Sequence, residues 1–205
     1  MRARGKDNGG CAKFHRAILG TAPREGKLDQ SLLPPQSGTM IHDSKLETER
    51  LEVRPFSHDD VPRLVEIFAD PDVARFVDDG EPMPAEVGHQ WVENSLANLA
   101  KHGCGTGAVI EKSTGRLIGW AGIARPPDDL PELIYGFEKP AWRKGYGREL
   151  LAALVDYSHE AGVVPVRATV NVENKGSIAL LETAGFRLVE KGHKGEATSC
   201  LYALD

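Results

Sequence analysis

The turn that decides the fold is Trp142-Arg143-Lys144-Gly145-Tyr146-Gly147-Arg148-Glu149, which lies between a predicted strand and a predicted helix. Its glycines allow the backbone to approach an anion closely and to adopt positive φ angles. The N-terminus of the helix supplies N–H groups without acceptors and a partial positive charge. Arg143, Lys144 and Arg148 add full charges. The turn is therefore predicted to bind a phosphate group. The alternative interpretation is an ordinary strand-to-helix turn without a ligand.

Two common nucleotide-binding motifs do not match this turn. A Walker loop requires Gly-Lys-Ser/Thr after four spacer residues, and the turn lacks that sequence. A dinucleotide-binding fingerprint requires a third glycine where Leu150 stands, and it usually lies in the first strand–helix unit of a chain. We therefore expect neither a nucleoside triphosphate nor a dinucleotide here.

A second segment, Asn174-Lys175-Gly176-Ser177, follows another predicted strand and begins a short helix. Asparagine is a common N-cap residue, and the helix ends at Gly185, a residue type that favours the position after a helix. These features alone are compatible with a purely structural segment. They also place Asn174 and Ser177 at the end of a strand, where a ligand can reach them.

The hydrophobic pattern along the rest of the chain predicts one layered domain. Alternating or short apolar runs indicate about seven strands, near residues 49–56, 108–111, 116–123, 132–138, 166–170, 186–190 and 198–204. Apolar residues at helical spacing indicate about four main helices, near residues 57–69, 85–102, 147–161 and 175–184. This order predicts an α/β (α+β) domain with a mixed, mostly antiparallel central sheet flanked by helices.

Taken together, these segments resemble the GNAT superfamily of acyl-CoA-dependent N-acyltransferases, and within it the ribosomal-protein N-terminal acetyltransferase branch. The resemblance runs from about Thr48 to the C-terminus. Five motifs carry it in order, and they comprise Thr48 to Phe56, Asp59 with Gly115 to Gly119, Glu132 to Tyr135, Trp142 to Gly147, and Asn174, Ser177, Gly185 and Phe186.

The resemblance implies a sheet that splays between its fourth and fifth strands, with acyl-CoA inserted in the gap. The backbone of Phe137 and Glu138 would pair with the pantetheine amides, as an added strand does. The basic turn would hold the pyrophosphate, and Asn174 and Ser177 would face the thiol. The implied cofactor-binding residues are Phe137, Glu138, Arg143, Lys144, Gly145, Tyr146, Gly147, Arg148, Asn174 and Ser177.

The resemblance also implies direct attack of a neutral amine on the thioester of acetyl-CoA in a ternary complex. An ammonium must first lose a proton, and Glu132 is the candidate base, directly or through water, with Tyr135 as a helper. A paired structural acid is the alternative role for Glu132. A backbone N–H near Phe137 would donate a hydrogen bond to the oxyanion of the tetrahedral intermediate. Many relatives place a Tyr where this chain has Leu181, so Ser177 becomes the candidate donor to the leaving thiolate.

The acceptor amine would enter near the loop from Asp78 to Pro84. The acids Asp78, Asp79 and Glu81 attract a cationic amine or, alternatively, form a solvated acidic loop. The resemblance implies that the acceptor is a protein N-terminus or a small-molecule amine, and we expect a monomer or a homodimer. Two alternatives remain within the fold: a transferase that uses a longer acyl-CoA, and a non-catalytic acyl-CoA-binding module, which the Leu181 substitution favours.

Composition excludes several other classes of protein. The chain has 205 residues and a net charge of −5, and an acidic balance disfavours nonspecific nucleic-acid binding. Its three cysteines form no C-x-x-C pair, so we expect reduced thiols in the cytoplasm rather than a disulfide scaffold or a zinc finger. The seven histidines show no metal-ligand spacing, and no metal is expected. No apolar run reaches the ~18 residues that a membrane-spanning helix needs.

Residues 1–47 are predicted to be a basic leader, and residues 48–205 the N-acetyltransferase domain. Residues 1–40 contain seven Lys/Arg and three Asp/Glu, a net charge of +4, whereas the remaining residues carry −9. Low apolar periodicity predicts disorder in this leader. Three explanations of the leader remain open. It is a solvated tail, or it results from a start codon assigned too early, with Met40 as the alternative start. A targeting peptide is the explanation that fits its composition least.

Overall fold

The computed structural model describes residues 45–77, 80–125 and 130–205. Almost all of the predicted leader lies outside these ranges, as do Asp78 and Asp79 of the predicted acceptor loop. The described strands are β1 (Leu46–Glu47), β2 (Leu51–Pro55), β3 (Thr106–Glu111), β4 (Arg116–Ala124), β5 (Glu132–Phe137), β6 (Val166–Asn171), β7 (Arg187–Lys191) and β8 (Ser199–Leu204). The described α-helices are α1 (Val61–Phe68), α2 (Pro71–Ala74), α3 (Ala85–His102), α4 (Tyr146–Glu160) and α5 (Lys175–Thr183).

The strands form two sheets whose neighbours are all antiparallel. The first sheet has the order β1-β2-β3-β4-β5, and the second has the order β6-β8-β7. The predicted α+β architecture with a mostly antiparallel sheet is therefore confirmed. The structure adds β1, in which Leu46 pairs with Val53. This strand is too short to produce a hydrophobic period.

Helix α4 connects the two sheets. It contacts β4 and β5 of the first sheet and β6 of the second. Leu150, Leu151 and Leu154 lie on its inner face, and each is at most 1% exposed. Because burying one leucine side chain contributes about 1.5–3 kcal/mol, this stripe fixes the start of α4, and the basic turn before it, relative to β5.

A second core lies under α1 and α3. The Phe68 and Trp120 rings stack with their centroids 4.6 Å apart, and Trp91 packs edge-on against both. Trp91 also donates its indole N–H to Thr106 Oγ1 at 3.1 Å. These two tryptophans are therefore packing residues of this second core.

Strands β5 and β6 are spatial neighbours that belong to different sheets. Each sheet therefore ends at this junction on an edge whose backbone N–H and C=O groups point toward the other sheet. Edge groups of this kind need partners from outside the ladder. The fourth and fifth predicted strands correspond to β5 and β6, and the predicted splay between them is present. The candidate site lies in this gap.

Candidate active site

The junction of β5 and β6 opens into a cleft of about 650 Å³. One wall is β5, from Glu132 to Phe137. The opposite wall is β6 with the start of α5. The turn before α4 closes one end, and the β7–β8 loop closes the other. Every predicted catalytic residue, Glu132, Tyr135 and Ser177, lines this cleft.

The register of β5 determines which backbone groups face the cleft. Glu138 donates its N–H to the carbonyl of Ile118 on β4 at 2.8 Å. Since antiparallel partners alternate along a strand, the N–H and C=O groups of Leu133, Tyr135 and Phe137 point away from β4 and into the cleft. The strand rises by about 3.3 Å per residue, so its open edge extends for roughly 17 Å.

Glu138 does not occupy the position that we expected. Its N–H faces β4, its carbonyl accepts from Ala141 N at 3.0 Å, and its side chain forms ion pairs with Arg63 and Arg116. Phe137 remains at the cleft, where its carbonyl accepts a hydrogen bond from the Trp142 indole N–H at 2.9 Å. Both backbone groups of Glu138 are therefore paired within the fold, and Phe137 is the last residue of β5 whose backbone faces the cleft.

The basic turn has the backbone of an anion-binding loop. Arg143 and Gly145 both have positive φ angles, of 60° and 83°, and helix α4 begins at the next residue, Tyr146. Alternating conformations of this kind turn successive N–H groups toward one point, as in a nest. Arg143, Lys144 and Arg148 are exposed. The turn therefore combines helix N–H groups with three cationic side chains, as the sequence predicted.

Arg50 and Thr48, which lie far from this turn in the chain, hold it in place, and the sequence did not indicate these contacts. The Arg50 guanidinium donates to the Lys144 carbonyl at 2.9 Å and to Glu149 Oε2 at 2.7 Å. Glu149 also accepts from the Arg50 N–H at 2.8 Å and from the Thr48 hydroxyl. Burial alone would raise the pKa of Glu149, but these hydrogen bonds outweigh it and hold the pKa below its ordinary value.

Tyr146 anchors the start of α4 through its side chain. Its hydroxyl donates to Glu111 Oε1 on β3 at 2.6 Å, and its ring packs 6.3 Å from that of Phe137. The hydrogen bond raises the pKa of Tyr146 and lowers that of Glu111. The Arg50 guanidinium lies over the same ring, 4.5 Å from its centroid.

Asn174, Tyr135 and Ser177 meet in the middle of the cleft. Asn174 caps α5, because its Oδ1 accepts from the Ser177 N–H at 3.1 Å. The Tyr135 hydroxyl is buried and has no hydrogen-bond partner among the residues that the structure describes. Burial raises the pKa of Tyr135 to about 12, and the neighbouring Ser177 side chain opposes that rise without reaching hydrogen-bonding geometry. Leu181, 1% exposed, forms the adjacent apolar wall.

At the far end of the cleft, Glu132 is buried and forms an ion pair with Lys194, whose Nζ lies 3.4 Å from Glu132 Oε1. Lys194 and its neighbour His193 belong to the β7–β8 loop, which no sequence motif linked to the site. Within the described ranges, no group of three or more His, Cys, Asp or Glu could hold a metal ion. No helix there is long and apolar enough to cross a membrane.

The chain resembles known proteins over most of its length. The family model "Acetyltransferase (GNAT) domain" matches residues 50–187. FsC-acetyl coenzyme A-N(2)-transacetylase of Aspergillus fumigatus is 28% identical over 158 residues, which cover 71% of this chain and 66% of that relative. A solved acetyltransferase from Agrobacterium tumefaciens superposes with a TM-score of 0.70 at 25% identity, over 83% of this chain and 99% of that one.

A ribosomal L7/L12 alpha-N-protein acetyltransferase, solved in complex with coenzyme A, has a TM-score of 0.65 at 16% identity. The match covers 78% of this chain and 97% of that one. At this identity the likeness is one of fold. The structural neighbours of the chain thus include a ribosomal-protein acetyltransferase, in keeping with the branch that the sequence resembles.

Proposed function

The chain belongs to the acetyltransferase (GNAT) domain family, and on that premise we propose that it transfers the acetyl group of acetyl-CoA to a primary amine on a protein N-terminus or a small molecule. One observation carries the proposal. The cleft joins an anion-binding turn, an open strand edge and an unpartnered buried hydroxyl in that order along β5. A long ligand with a phosphate at one end and amides in its middle fits that order.

The residues of the cleft fit acetyl-CoA from end to end. The N–H groups from Lys144 to Arg148, with the side chain of Arg143, suit a pyrophosphate. The outward N–H and C=O groups of Tyr135 and the N–H of Phe137 suit pantetheine amides, by the pairing that adds a strand to a sheet edge. When bound, acetyl-CoA supplies a thioester, which is an acetyl donor activated for attack by an amine.

Tyr135 and Ser177 are the proposed donors at the thiol end. With a pKa of about 12, Tyr135 keeps its proton at neutral pH and is available to donate a hydrogen bond. The Ser177 hydroxyl lies beside it. The thiolate that leaves needs such a hydrogen-bond donor, and the side chain of Leu181 contains none. Asn174 serves in this scheme as the cap that fixes Ser177 at the start of α5.

Glu132 is proposed to act at the acceptor end, where its carboxylate attracts an ammonium. Its ion pair with Lys194 means that a cation already competes for the carboxylate. Removing a proton from the amine therefore requires either release of Lys194 or a second base. Glu81 lies in the described part of the predicted acceptor loop and is exposed.

We further propose that residues 48–205 form the catalytic unit, acting in the cytoplasm as a monomer or a homodimer. The family match to residues 50–187 supports the boundary. A non-catalytic acyl-CoA-binding module is the second candidate, and one observation favours it: Leu181 fills the place of the Tyr that many relatives use. The neighbouring Tyr135 hydroxyl counts against it.

The test combines calorimetry with a thiol assay. Acetyl-CoA is titrated into the protein, and free thiol is then followed with a panel of peptides and small amines. We expect binding and amine-dependent thiol release. Binding without release for every amine would favour the module, and faster release from a longer acyl-CoA would revise the donor. If no acyl-CoA binds, both the transferase and the module are refuted.

A further inference from the structure

The loop between β7 and β8 has an unusual backbone and packs against the cleft. Gly192, Lys194 and Gly195 have φ angles of 70°, 57° and 79°. The Gly192 N–H donates to the Ser199 carbonyl at 2.8 Å and closes the loop. A positive φ at a lysine is uncommon, and such conformations cluster at functional sites. The result is that two adjacent side chains, His193 and Lys194, both line the cleft.

The imidazole of His193 is buried, with 7% of the residue exposed, and it contacts a carboxylate through one of its nitrogens. Its Nδ1 lies 2.6 Å from Glu190 Oε2 on β7. An ionised carboxylate only accepts hydrogen bonds. Nδ1 therefore carries a proton, and in the neutral ring the lone pair is on Nε2. Glu190 is half exposed, so it orients the ring from the solvent side.

The Nε2 atom of His193 is buried and has no hydrogen-bond partner in the described part of the chain. A buried polar atom without a partner is rare and calls for an explanation. The charged groups of the loop and of the strands beside it include Glu190, Glu132, Lys194 and Glu196, and Glu132 is paired with Lys194. Among the described residues, no group donates a hydrogen bond to the lone pair of His193, in contrast to the carboxylate of Glu132.

We propose that His193 is the proton acceptor for the amine and that Glu190 is its positioning residue, an inference that rests on the proposed transferase activity. An N–H bond of the substrate ammonium breaks, an H–Nε2 bond forms, directly or through one water molecule, and the nitrogen keeps the electron pair with which it attacks the acetyl carbon. The imidazolium is stabilised by Glu190. Before this transfer, Glu132 attracts the ammonium to the acceptor end of the cleft, in competition with Lys194.

The test compares His193→Gln with His159→Gln, the same change at an exposed position on α4. For His193→Gln we expect kcat to fall by about 100-fold or more, as for loss of a general base, with the KM for acetyl-CoA unchanged. His159→Gln should keep the wild-type kcat. If His193→Gln also keeps the wild-type kcat, the inference is overturned while the proposed function stands. If the wild type transfers no acetyl group to any amine, both are overturned.

A readout without ligand tests the orienting role of Glu190. Long-range nitrogen–proton NMR of ¹⁵N-histidine-labelled protein should show His193 as the Nδ1–H tautomer. Glu190→Ala should admit the Nε2–H tautomer and lower kcat by about tenfold, whereas Glu190→Gln, which keeps an acceptor oxygen, should restore both. An Nε2–H tautomer in the wild type would overturn the inference. These Glu190 variants decide the question even if His193→Gln fails to fold.

Discussion

Replacing Gly145 by aspartate tests whether the basic turn binds the cofactor phosphates. Gly145 is exposed, with a φ of 83°, and a Cβ there would lie 3.4 Å from the Arg50 guanidinium and would meet no backbone atom. The fold therefore tolerates the side chain, apart from the ~1 kcal/mol that a non-glycine residue costs in the left-handed region. That cost lowers the Tm by only about 2–4 °C in a domain of this size.

The effect on binding should be larger than the effect on stability. A carboxylate about 5 Å from one phosphate charge is repelled by ~0.8 kcal/mol in water and ~3 kcal/mol at an effective dielectric constant of about 20. Because the turn is exposed and a pyrophosphate carries two charges, we expect a loss of about 1.5–3 kcal/mol. That loss corresponds to a Kd for acetyl-CoA roughly 10- to 150-fold weaker.

Titration calorimetry with acetyl-CoA measures this change. The matched control is Gly162→Asp, which makes the same substitution at a φ of 70° with no atom within 4 Å of the new Cβ. Gly162 follows the opposite end of α4, about 22 Å away at 1.5 Å per residue. The control should bind like the wild type. A folded Gly145→Asp protein with the wild-type Kd would refute the assignment of the turn.

Three further predictions follow from buried polar groups. Tyr135→Phe removes a hydroxyl without a partner, so stability in urea should be unchanged or rise by up to ~1 kcal/mol while kcat falls; a clear loss of stability would contradict this. Burial raises the pKa of Tyr135 to about 12 from 10, so the folded protein holds this proton more tightly than the unfolded chain does. The resulting contribution to the free energy of unfolding is complete below pH 10 and is lost between pH 10 and 12. Tyr135→Phe should lessen this decline in alkaline melts. The Asp60 carboxylate accepts two hydrogen bonds from Arg54, at 2.7 and 2.8 Å. Asp60→Asn should therefore lower the free energy of unfolding by about 2–3 kcal/mol, as measured by urea unfolding.

The local parts of the site were predictable from sequence because their signals are local. The Gly145 turn, the Asn174 cap and the order of strands each depend on residues within a few positions of one another. The end of β5 was predicted one residue too late. Glu138 reads as the last residue of a strand, yet its N–H and side chain belong to the structural pairing with Ile118 and Arg63.

The supporting residues were not predictable, because their partners lie far apart in the chain. Arg50 reaches the turn across 94 residues, and nothing near Arg50 in the sequence indicates an anion-binding loop. His193 was overlooked since its spacing fits no metal site, and only the fold reveals its bond to Glu190 and its place on the cleft. The pairing of Glu132 with Lys194, the structural alternative for that acid, also appears only in three dimensions.

The most direct test of acetyl transfer follows the acetyl group itself. The protein is incubated with acetyl-CoA labelled with ¹³C in the acetyl group and with the amine panel, and the products are analysed by mass spectrometry. We predict that the label appears on the nitrogen of at least one primary amine, in one-to-one proportion with the coenzyme A released, and that Gly145→Asp diminishes both together. Release of coenzyme A without any labelled amine would contradict the proposed function.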